Sequence, residues 1–66
     1  MKPDRTGDIC DFIQSYSEEY SYPPTLTEIG EEFGRQATWA FHQLNRLEDA
    51  GLIHRNRRHP RTVVVL

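Results

Sequence analysis

Arg55, Arg57, Arg58 and Arg61 cluster in the segment "HRNRRHPR" near the end of this 66-residue chain, interleaved with His54 and His59 and with no acid among them. The chemistry that such a cluster serves is the binding of a polyanion. The whole chain is formally acidic, at −2, so net charge hides this feature. Residues 1–50 carry Lys2, Arg5, Arg35 and Arg46 against all ten acids, a net −6, and residues 51–66 carry four arginines against none, a net +4. Charge asymmetry therefore describes the chain better than its total. Because no acid is adjacent in sequence, phosphate contact is the expected role of these arginines.

A second set of polar side chains lies upstream, in "RQATWAFHQLNRLEDA". Thr38, His42 and Gln43 can donate or accept hydrogen bonds, Trp39 can press on an apolar group, and Arg35, Gln36 and Arg46 flank them. Other chemistry is poorly provided for. His42, His54, His59 and Cys10 match no zinc-ligand spacing, so no metal or cofactor is expected. No nucleophile–base pair, carboxylate pair or glycine-rich phosphate loop is evident, and no enzymatic activity is expected. One cysteine cannot form an internal disulfide, which suits a half-buried thiol in a reducing cytoplasm. No apolar run is long enough for a membrane span or signal peptide.

The elements that must position these groups can be read from periodicity. In "GDICDFIQSYSEEY", Ile9, Phe12, Ile13, Tyr16 and Tyr20 form one apolar stripe, predicting an amphipathic helix that "SYPPT" ends. Thr25 with Glu28 three residues later forms a capping box, so a short second helix starts after Thr25 and stops at Gly34. Ala37, Ala40, Leu44 and Leu47 line the inner face of a third helix over about residues 37–50, ended by Gly51. That leaves Thr38, Trp39, His42, Gln43 and Arg46 pointing outward, with Phe41 at the border. The runs "LIHR" and "TVVVL" around the polar "NRRHP" predict a two-stranded hairpin. The expected fold is mainly α with a small β-hairpin: a winged helix-turn-helix, forming one domain over residues 1–66. The basic wing, about residues 54–61, would be pinned to the helices by the valines.

Three segments also carry a family likeness: "YPPTLTEIGEEFG", "LNRLEDAGLIHR" and "HPRTVVV". Together they resemble the N-terminal winged helix-turn-helix DNA-binding domain of the LexA-type SOS repressors, over about residues 5–66. The resemblance implies sequence-specific binding of double-stranded DNA and transcriptional regulation, as a repressor. In a helix-turn-helix the early outward residues of the third helix meet base edges in the major groove, here Thr38, Trp39, His42 and Gln43. Arg35, Gln36, Arg46, Arg55, Arg57, Arg58 and Arg61 are then expected on the phosphate backbone. "RQATWAFHQL" is one residue shorter than is usual in the family, and Trp39 and Phe41 replace small or polar residues. Family members continue into a dimerising domain with a Ser–Lys self-cleavage site, which 66 residues do not accommodate. A monomer is expected in solution, with a second copy assembling on an inverted repeat. Two alternative functions are a protein-interaction module holding a partner through Trp39 and Phe41, and a phage-type DNA architectural or excision protein.

Overall fold

The computed structural model describes residues 6–56 and 58–66. Three helices, α1 (Thr6–Tyr20), α2 (Leu26–Glu32) and α3 (Ala37–Asp49), precede a hairpin of β1 (Ile53–His54) and β2 (Val64–Val65). The strands are antiparallel, with Ile53 opposite Val65 and His54 opposite Val64. This is a winged helix-turn-helix, as the sequence predicts. The strands are shorter than "LIHR" and "TVVVL" suggest, because the polar wing leaves the ladder after two residue pairs. Leu66 extends the pairing by one more bond, donating its N–H to the Leu52 carbonyl at 2.9 Å.

The core forms where the apolar stripes converge. Ile9 and Ile13 of α1, Ile29 of α2, Ala40, Leu44 and Leu47 of α3, and Ile53 and Val63 of the wing are all buried. Of the three valines only Val63 is fully inside; Val64 points out and Val65 is half-buried, the alternation of a strand. The far end of the α1 stripe departs from expectation. Tyr20 is 47 % exposed, and Tyr16 is half-buried because its hydroxyl finds a carboxylate instead of the core.

The capping box at α2 is formed in full. The Glu28 amide donates to Thr25 Oγ1 at 3.2 Å, and the Thr25 amide donates to Glu28 Oε1 at 2.8 Å. Gly34 and Gly51, at φ +68° and +76°, close α2 and α3 in the left-handed conformation that side chains disfavour. The turn between the two helices is tight because the Arg35 amide donates to the Gly30 carbonyl at 2.7 Å. Gly30 is buried there, where its missing side chain lets the backbone of residues 35 and 36 approach.

Candidate nucleic-acid interface

Helix α3 presents its outer face as its periodicity predicts, with two exceptions. Thr38, His42 and Arg46 are exposed and Gln43 is half-buried. Trp39, expected to point outward, is half-buried instead. Its ring lies 5.6 Å from that of Phe33, with the Arg35 guanidinium 5.9 Å from the indole. It ends a run of aromatic contacts from Tyr16 through Phe12 and Phe33, so apolar packing across the helices draws it in. Phe41 is 37 % exposed and sits beneath the Arg55 guanidinium at 5.4 Å. Two positions apart on a helix are about 200° apart around its axis, so Trp39 and Phe41 do not make one apolar patch.

Arg35 and Gln36 are exposed in the turn before α3. Gln36 is the N-cap residue but supplies no side-chain cap, so the side chain is left to reach outward. The amino end of this 13-residue helix adds a partial positive charge nearby.

The four wing arginines separate into different groups. Arg57 lies outside the described residues. Arg58 is exposed, with its amide donating to Asn56 Oδ1 at 3.0 Å. The wing tip closes through Thr62, whose hydroxyl accepts from the Asn56 amide at 3.0 Å and lies 3.0 Å from the Asn56 and His59 carbonyls.

Arg55 and Arg61, expected on phosphate, both have partners within the fold, Arg55 with its side chain buried and Arg61 at the surface. Arg55 donates to Asn45 Oδ1 and lies 3.6 Å from Glu48, with its side chain only 7 % exposed. Arg61 donates to both Glu28 oxygens, at 2.9 and 3.1 Å, and to the Pro23 carbonyl at 3.3 Å. Its guanidinium covers the Tyr22 ring at 4.5 Å. Sequence proximity concealed these partners. Arg55 meets Glu48 from the end of α3, and Arg61, with no acid near it along the chain, meets Glu28 across 33 positions.

The Glu28 carboxyl is strongly perturbed. The Thr25 backbone amide, joined by the Tyr16 hydroxyl and the Arg61 guanidinium, holds it down at about 2. A carboxylate stabilised in the folded state supports folding fully above its ordinary value, 4.5, and loses that support as pH falls toward about 2. Acid titration of thermal stability is therefore expected to show a loss in this window that Glu28→Gln flattens. Identical pH profiles for the two proteins would show that the carboxylate is not held in this way. Burial and the neighbouring Asp11 carboxylate push the Cys10 thiol up, away from nucleophilic chemistry.

Helix α3 and the wing border a common groove. It has a volume of about 390 Å³ and is lined by Leu26 of α2, Ala37 and Phe41 of α3, and His59, Pro60 and Val63 of the wing. Glu19, Glu31 and Glu32 line a different hollow, between α1 and α2. No helix among the described residues is long and apolar enough to cross a membrane.

Comparison with known proteins agrees with this architecture. The model of the LexA DNA binding domain matches residues 3–62. The LexA repressor of Listeria welshimeri is 43 % identical over 63 residues, covering 94 % of this chain and 31 % of that protein. The LexA repressor of Bacillus mycoides is 40 % identical over the same length and shares. The chain thus spans about a third of these relatives. With the match covering nearly all of its residues and its helices and wing in the expected order, the chain belongs to the LexA DNA-binding domain family.

Proposed function

We propose that this domain binds double-stranded DNA in a sequence-specific manner and acts as a transcriptional repressor, with α3 in the major groove and the wing beside it. The observation that supports the proposal is that α3 and the wing border one groove through Ala37, Phe41, His59 and Pro60, with Thr38 and His42 exposed at the next positions of α3, while Glu19, Glu31 and Glu32 border another. A polyanion can approach the first groove without meeting those carboxylates. In this reading Thr38, His42 and Gln43 address base edges, and Trp39 contributes only the part of its ring left open. Arg35, Gln36, Arg46, Arg57 and Arg58 address the backbone. A second copy binds the other half of an inverted repeat.

Substitution separates the two roles. His42→Ala or Gln43→Ala is expected to cost about 1–3 kcal/mol on a duplex selected from random sequences, and little on generic duplex. Arg58→Ala should weaken all duplexes alike and reduce the log–log salt slope by about 0.9. Fluorescence anisotropy with both duplexes reads these effects. Equal losses on both duplexes for His42→Ala and Gln43→Ala would remove the base-reading role from α3.

A further inference from the structure

The wing is too short to hold its own position. Its strands pair over only two residues each, and an isolated two-stranded hairpin is marginal in water. Something else must orient the tip, and Arg55 and Arg61, each paired with another element, lie where that is done. Arg55 follows β1 and returns to α3 through Asn45 and Glu48, with the Phe41 ring beneath it. Arg61 begins the opposite limb and reaches the start of α2 through Glu28 and the Pro23 carbonyl. Each limb is thus tied to a different helix of the helix-turn-helix.

The backbone supports the same conclusion. Arg61 has φ 59°, a left-handed conformation that non-glycine residues hold only when their surroundings over-determine it. The two-pronged pair with Glu28, the contact with Pro23 and the stacking on Tyr22 provide that determination. A single surface ion pair contributes little, but a bidentate pair inside a network is geometrically demanding.

Resting on the DNA-binding reading, we propose that Arg55 and Arg61 are positioning residues that fix the spacing between α3 and the wing tip. That spacing then becomes part of the sequence preference: bases read by α3 must lie at a set distance from the flank that the wing touches. Arg55 and Arg61 contribute this through Asn45, Glu48 and Glu28 rather than through phosphate.

Glu28→Gln tests the idea by the sign of its effect. Glutamine can keep the capping box, so the start of α2 is preserved, while the charge that holds Arg61 is lost. Simple electrostatics predicts tighter DNA binding when an acid is removed; a positioning role predicts lost discrimination. Arg61→Lys provides a second variant, since lysine keeps the charge and the cap but not the two-pronged grip. Sites would be selected from random duplexes with the unaltered chain, then lengthened by one base pair between the α3-read bases and the flank.

The unaltered chain should lose about tenfold in affinity on the lengthened duplex, the scale of one misplaced base contact. Both variants should discriminate less than about twofold, with generic duplex bound as well as before or better. Amide spectra of the variants confirm the fold. Retention of the tenfold discrimination by folded Glu28→Gln or folded Arg61→Lys would overturn the positioning role, as would indifference of the unaltered chain to the insertion. Failure of the unaltered chain to bind any duplex would instead overturn the DNA-binding reading itself.

Discussion

Gly30→Ala is expected to destabilise the domain by roughly 2–3 kcal/mol, although alanine is the better helix former. A Cβ at this position would lie 2.8 Å from the Gln36 carbonyl oxygen and 2.9 Å from that of Arg35. Both are backbone atoms and cannot rotate away, so the turn between α2 and α3 would have to open. The gain in helix propensity, about 0.5–1 kcal/mol, does not offset an overlap of that kind. Gly7→Ala is the internal control. It also lies in a helix, but its added methyl meets nothing within 4 Å, so stability should stay the same or rise slightly. Denaturant melts of the two variants decide the matter. Equal stability of Gly30→Ala and the unaltered chain would show that the turn has slack. For a domain this small, a loss of the expected size is a large part of the total stability. It should also impair DNA binding, since the turn sets the direction of α3.

Gly30 illustrates what could not be read along the chain. A glycine within a short helix looks like a minor defect, and its purpose appears only when residues 35 and 36 fold over it. Features governed by local chemistry were legible. The capping box at Thr25 and Glu28, the stops at Gly34 and Gly51, and the buried positions Ile9, Ile13, Ala40, Leu44 and Leu47 all follow from spacing. They depend on neighbours within about one or two helical turns.

The interface was legible to a lesser extent. Which residues of α3 face outward follows from the same periodicity, and Thr38, His42 and Arg46 are exposed as expected. Trp39 departs because a large ring can turn toward an apolar neighbour, Phe33, that lies on another helix. The ion pairs of Arg55 and Arg61 were not legible because their carboxylate partners come from α3 and α2. Counting charge along the chain treats all four wing arginines alike. Only the fold shows that Arg55 is paired with α3 and Arg61 with α2, while both Arg58 and Arg61 stay exposed.

This division changes the expected response to salt, which is the second large effect. Each neutralised phosphate contributes about −0.9 to the slope of log affinity against log salt. If Arg35, Arg46 and Arg58, with or without Arg57, supply the contacts, the slope should be about −3 to −4. Raising salt from 50 to 200 mM would then weaken binding by roughly a hundredfold. If Arg55 and Arg61 also reached phosphate, the slope would be about −4.5 to −5.4 and the loss on the order of a thousandfold. The difference is well outside the error of an anisotropy titration, so the slope reports both whether DNA is bound and how the wing is used.

The most direct test of the central claim is therefore a titration of the unaltered chain with a generic duplex and a selected duplex across that salt range. Binding to both, tighter to the selected site and weakening with a slope of about −3 to −4, is the predicted result. Affinity that does not change with salt, or that is the same for both duplexes, would contradict the account of α3 and the wing as a sequence-reading DNA surface.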